Sequence, residues 1–122
     1  MLKARIAVLV SGRGSNLTAV HEACRACEIH GKVVLVLSDN PDALALEYCS
    51  KNRIPAAYVY PGPFKTKLEG QAEAEYVRVL KAANPDIVVL AGFMRVVKPA
   101  FIRAFPNKII NIHPSLLPKY PG

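Results

Sequence analysis

Asn111 and His113 stand two residues apart in the run Ile109-Ile110-Asn111-Ile112-His113-Pro114, close to the end of a 122-residue chain. The surrounding isoleucines read as a buried strand, and the period of two in a strand turns both polar side chains to one face. Pro114 has no N–H and biases His113 towards extended backbone, so the sheet is expected to fray at the imidazole and open it to a cleft. An imidazole there titrates near neutrality and can move a proton; the neighbouring amide can donate a hydrogen bond. The plainer alternative is a core histidine bonded to a carbonyl.

A second group with chemistry in it is Ser11-Gly12-Arg13-Gly14-Ser15-Asn16, between an apolar run and a helical pattern. Its glycines allow positive φ and close backbone approach, and the free N–H groups of the helix start and the Ser15 hydroxyl would face an arriving anion. Three readings stay open: a phosphate cradle, a dinucleotide fingerprint, and a tight strand-to-helix turn with Ser15 or Asn16 as N-cap. The fingerprint has Gly12 and Gly14 but Leu17 in the third glycine's place, although Asp39 could mimic its ribose-binding acid. A third group, Gly92-Phe93-Met94-Arg95-Val96-Val97, is either an apolar plug or the wall of a site with Arg95 as its polar handle.

Cys24-Arg25-Ala26-Cys27 has the spacing of a redox or metal motif. Leu17, Val20, Cys24 and Cys27 follow helical spacing, however, which places both thiols on an apolar stripe; Cys49 stands alone, and no metal site is expected.

The elements that must position these groups alternate. Arg5–Val10 is a near-continuous apolar run, as in a central strand covered on both faces. A helix reaching about Glu28, stopped by Gly31, leads to a second strand at Lys32–Ser38. Asn40 as N-cap and Pro41 at N1 open the next helix, with Asn52 as its left-handed terminator. Ala56–Tyr60 forms a third strand, and Leu68, Ala72, Tyr76, Val79 and Ala83 make the apolar stripe of a third helix. The strand Ile87–Ala91 follows, then a short helix with Pro99 at N1 and Phe101, Ile102 and Phe105 inward, then the last strand. This is an α/β pattern: an open, mainly parallel, Rossmann-like sheet with helices on both faces, and one domain over residues 1–122. The three groups then fall at C-terminal strand ends, where such sheets bind ligands.

Composition narrows the partners. The net charge is +7, but the sixteen Lys and Arg form no run and no aromatic is interleaved with them, which favours an anionic small molecule over nucleic acid. No apolar stretch approaches the about 20 residues of a membrane helix, and no signal sequence opens the chain, so a cytoplasmic protein without membrane contact is expected.

Asn111-Ile112-His113-Pro114-Ser115-Leu116-Leu117-Pro118 resembles the signature of folate-dependent formyltransferases. With Ser-Gly-x-Gly-Ser-Asn and Ala-Gly-Phe-Met-Arg, the resemblance from Arg5 to Gly122 is to those that formylate glycinamide ribonucleotide. It implies the following roles. Gly14, Ser15 and Asn16 bind the ribonucleotide phosphate; Met94, Arg95, Val96 and Val97 line the folate pocket, largely through backbone groups, with Asn111 beside them. Where relatives often place an arginine after the phenylalanine of the third loop, for the folate's glutamyl carboxylate, this chain offers Lys65 and Lys67, of which Lys67 is the expected contact. Asn111 and His113 serve catalysis, the amide on the developing oxyanion and the imidazolium as proton donor. The substrates are 10-formyltetrahydrofolate and glycinamide ribonucleotide, without metal, in a monomer or homodimer. In the family a downstream aspartate orients this histidine, and nothing in the chain matches it, so the 122 residues are expected to be an N-terminal part, inactive by itself. Other readings are a methionyl-tRNA formyltransferase, a formyltetrahydrofolate deformylase, or a non-catalytic nucleotide-binding module.

Overall fold

A computed structural model of the chain describes residues 2–112. Its elements are β1 (Ala4–Val10), α1 (Ser15–Arg25), β2 (Gly31–Ser38), α2 (Leu44–Lys51), β3 (Ala56–Tyr58), β4 (Lys67–Leu68), α3 (Gly70–Ala82), β5 (Ile87–Ala91), β6 (Val96–Val97), α4 (Pro99–Ala104) and β7 (Ile109–Ile112). Five strands make one sheet in the order β3-β2-β1-β5-β7, and every pairing in it is parallel. β4 and β6 pair separately, also in parallel.

Alternation along β1 builds the core on both sides of the sheet. Ile6, Val8 and Val10 pack with Leu17 and Cys24 of α1 and Ala45 and Cys49 of α2. Ala7 and Leu9 face the other way, to Tyr76 and Leu80 of α3 and to Phe101 and Phe105 around α4. The expected helix-covered parallel sheet is therefore what forms, with strand order reversing direction between β1 and β5.

Several local expectations are corrected. α1 stops at Arg25, and Cys27 adopts φ 62 and is exposed, so only Cys24 of the pair is buried. α2 begins at Leu44 with Ala43 in the cap position. Asn40 instead folds back on itself, its Oδ1 accepting the Asp42 N–H at 3.0 Å, a competing local bond that holds residues 40–42 out of the helix. The left-handed residue after α2 is Arg53, with φ 58, while Asn52 stays at φ −107. β3 ends at Tyr58 rather than Tyr60. Leu68 belongs to β4 and not to the α3 stripe, though it is fully buried in the same cluster as Tyr76. On α4, Pro99 takes its expected place at the first turn, but Ile102 is 48% exposed. β7 is an edge of the sheet among the described residues, with Ile110 half exposed and Asn111 exposed, so the last strand is not buried as expected.

Candidate functional site

Strand order reverses direction between β1 and β5, and the C-terminal strand ends at such a switch point are where open parallel sheets bind ligands. The turn after β1 enters α1 through Gly14, which sits in the N-cap position at φ 79, ψ 28 with no side-chain cap; the Thr18 N–H donates to its carbonyl at 2.8 Å. Ser15 and Asn16 are therefore inside the first turn and not caps, and backbone N–H groups there have no intrahelical partner. Gly14 is required by packing as well as by φ: a Cβ there would lie 2.6 Å from the Ala45 Cβ of α2. The neighbouring Gly12 carbonyl accepts the Ala45 N–H at 3.1 Å, which pins the turn onto the start of α2.

The segment after β5, called the wall below, does not bury itself as a plug would. Met94 is 75% exposed and Val96 63% exposed, which is not how a plug buries its apolar residues. Its backbone is held from two sides. Val96 and Val97 pair with Lys67 and Leu68, and the Met94 N–H donates to Ser11 Oγ at 2.9 Å. Ser11, the last polar group before the two glycines, thus joins the β1 turn to the β5 wall, a role its sequence position did not announce.

Arg95 is not an exposed handle. Its Nε lies 3.0 Å from Asp39 Oδ2, with the two side chains only 15% and 6% exposed, and its Nη1 donates to the Phe64 carbonyl at 3.1 Å and the Lys65 carbonyl at 3.4 Å. Asp39, which a dinucleotide fingerprint needs for a ribose, is thereby committed to a guanidinium. Beneath this pair the Tyr76 hydroxyl donates to the Val59 carbonyl at 2.7 Å, and burial, then the negative charge of Asp39, push its pKa well above the usual tyrosine value.

Lys67, expected to face a carboxylate of the ligand, has its Nζ 3.0 Å from Glu69 Oε1 and 4.6 Å from the centre of the Phe64 ring. Asn111 pairs with Leu90 at the end of β7, beside the β5 wall, and is exposed. His113 lies outside the described residues. Gly14, Ser15, Asn16, the segment Met94–Val97 and Asn111 are thus all at the same end of the sheet, with Lys67 in the small sheet that backs the wall.

The basic residues, scattered in sequence, are partly gathered by folding. Lys3, Arg5, Arg25, Lys32 and Arg53 line a cavity of about 630 Å³ around the opposite ends of β1 and β2, far from the wall. The three thiols are free, Cys24 and Cys49 buried and Cys27 exposed, and among the described residues no group of three or more His, Cys, Asp or Glu could hold a metal ion. No helix among them is long and apolar enough to cross a membrane.

Comparison with known proteins decides the family, for the formyl transferase pattern matches residues 4–122. The chain belongs to the formyl transferase family. Within the family it is 42% identical over 117 residues to phosphoribosylglycinamide formyltransferase of Escherichia coli, covering 96% of this chain and 54% of that protein. It is 47% identical over 120 residues to the trifunctional purine biosynthetic protein adenosine-3 of Drosophila melanogaster, covering 97% of this chain and 9% of that protein. The crystal structure of glycinamide ribonucleotide transformylase 1 from Symbiobacterium toebii superposes with a TM-score of 0.84 at 42% identity, covering 98% of this chain and 56% of that one. The chain spans about half the length of such single-function formyl transferases. A formyltetrahydrofolate deformylase from Pseudomonas putida, 23% identical, shares the fold.

Proposed function

We propose that this chain carries the nucleotide-binding and much of the folate-binding half of an enzyme that moves the formyl group of 10-formyltetrahydrofolate to the amine of glycinamide ribonucleotide, a cytoplasmic step of purine synthesis. The observation that carries this reading is the 2.9 Å bond from the Met94 N–H to Ser11 Oγ, because it joins the turn that this reading gives to the phosphate to the segment it gives to the pterin. Transfer between two amines requires two ligands side by side, and orientation of that kind supplies a large part of the rate.

In this reading the phosphate rests on the N–H groups of Gly14, Ser15 and Asn16, assisted by the Ser15 hydroxyl and the positive end of α1. Met94, Val96 and Val97 offer the pterin main-chain hydrogen bonds and apolar surface. The Asn111 amide donates to the oxyanion that develops on the formyl carbon, and His113, as imidazolium, stabilises that charge and returns a proton to the leaving nitrogen. No covalent bond to the protein is needed. Lys67 contributes a charge near the glutamyl end of the folate.

Thermal shift of the full-length protein with glycinamide ribonucleotide, 10-formyltetrahydrofolate, NAD, ATP and tRNA tests the reading. Stabilisation by the first two, with formyl transfer between them, is expected. Stabilisation by NAD alone, or by tRNA with no response to the ribonucleotide, overturns it.

A further inference from the structure

The wall's secondary structure is too slight to hold it. β4 and β6 are two residues each, and an isolated two-stranded ladder is marginal even at several times that length. The Met94 N–H bond to Ser11 and the packing of Phe93 and Val97 against the core around Tyr76 hold part of it, and the remaining hold is polar.

Arg95 is the only side chain of the wall that reaches the segments on either side of it through hydrogen bonds or ion pairs among the described residues. Its Nη1 is shared between the Phe64 and Lys65 carbonyls, in the loop that leads to β4, and its Nε faces the Asp39 carboxylate at the end of β2. The planar fork suits that work, since it presents several donors in fixed directions where a lysine would offer one compact charge. Asp39 has no other ion-pair partner among the described residues; its Oδ1 and the Arg95 Nε are both buried without a hydrogen bond, so the two groups are held at 3.0 Å by charge. Removing either partner leaves a charge buried without compensation, so the two hold each other.

Resting on the formyl-transfer reading, we propose that Asp39 and Arg95 are positioning residues for the folate co-substrate. Arg95 acts through the main chain it anchors and Asp39 through Arg95; neither needs to touch the reacting atoms. Asp39 meets the start of the β1 turn only through its main chain, its N–H donating to the Val10 carbonyl at 3.3 Å, whereas its carboxylate serves Arg95; changing either side chain of the pair therefore bears on the wall and leaves the turn's own bonds in place. A pair that served stability alone would have no such preference.

Steady-state kinetics of the full-length enzyme with Asp39→Asn, Arg95→Lys and the double variant separate these cases. Each single change is expected to raise KM for the folate about tenfold while KM for the ribonucleotide and kcat stay within about twofold. The double variant is expected to match the worse single one, since the two residues act as a unit. Asp39→Asn keeps shape and an acceptor, so it carries the test if Arg95→Lys does not fold. Equal rises in both KM values, a lowered melting temperature with unchanged KM, or additive effects overturn the proposal. A wild-type enzyme that transfers no formyl group overturns the underlying reading and this proposal with it, whereas an active wild type with indifferent variants overturns this proposal alone.

Discussion

The turn after β1 is fixed by shape, and the wall after β5 is fixed by charge. Gly14 touches Ala45 so closely that no side chain fits between them, and the Gly12 carbonyl is tied to the same residue. The wall presents exposed apolar side chains and is secured by Ser11, by Arg95 with its buried partner, and by a two-residue ladder. A phosphate has one geometry and a rigid cradle of N–H groups suits it, while a flat heterocycle is gripped by backbone and apolar surface whose position must be set from elsewhere. The difference predicts that the turn breaks as part of the fold and the wall breaks as a site.

Gly14→Val should have the largest effect. A β-branched residue at φ 79 is strained by about 1 to 2 kcal/mol, and the collision with Ala45 adds a similar overpacking cost. Against a total stability of about 5 to 15 kcal/mol, a loss on the order of 3 should be plain in urea unfolding, and both substrates should bind worse. Loss of ribonucleotide affinity at full stability would mean that the glycine serves the ligand and not the packing. Asn111→Ala, at the exposed end of β7, should leave the fold and both KM values nearly unchanged but cut kcat on the order of a hundredfold, because an oxyanion donor works on charge present only in the transition state. A pure KM effect would make Asn111 a binding residue.

The same contrast explains what could be read from the sequence. The parallel sheet, its two helical layers and the turn were legible because each depends on patterns within a few residues: apolar runs in β1, β2 and β5, glycines at a strand end, helical spacing around Tyr76. The N-cap went to Gly14 and not to Ser15 or Asn16, since the turn had to lie flat on α2, a contact made with Ala45 in a different helix. Asn40 looked like a helix cap and became a local turn because its side chain found the Asp42 N–H first. The wall's anchors were illegible for a related reason: Ser11 meets a residue 83 positions away, and no local pattern tells an aspartate at the end of β2 that its partner is Arg95. Cys27 fell off the expected apolar stripe once α1 ended two residues before it.

Ser11→Ala tests the joint between the two regions and should have a smaller effect. It removes one hydrogen bond worth about 1 kcal/mol net, roughly a fivefold change in an equilibrium constant. Since the bond belongs to both regions, KM should rise for both substrates by a few-fold, with unfolding little changed. A shift in the folate KM alone would mean that the turn does not feel the wall.

Lys67→Ala should have the smallest effect, and the reasons are on the residue itself. Its ammonium is 3.0 Å from Glu69 and lies over the Phe64 ring, so it is already satisfied within the chain. The side chains of the pair are 37% and 40% exposed, and exposed pairs of this kind contribute about 0 to 1 kcal/mol. For Lys67 to serve a ligand carboxylate it must leave Glu69, and what it gains there is nearly what it gives up. The backbone of the wall does not depend on that exchange, because Lys67 and Leu68 pair with Val96 and Val97 through the main chain. The expected result is a melting temperature unchanged within error and a folate KM raised less than threefold, most visible at low salt, where surface charges are least screened. Glu69→Gln should then lower the folate KM slightly by freeing the lysine. A tenfold rise for Lys67→Ala would place a real contact at this position and make the wall, like the turn, a region that binds through a fixed charge.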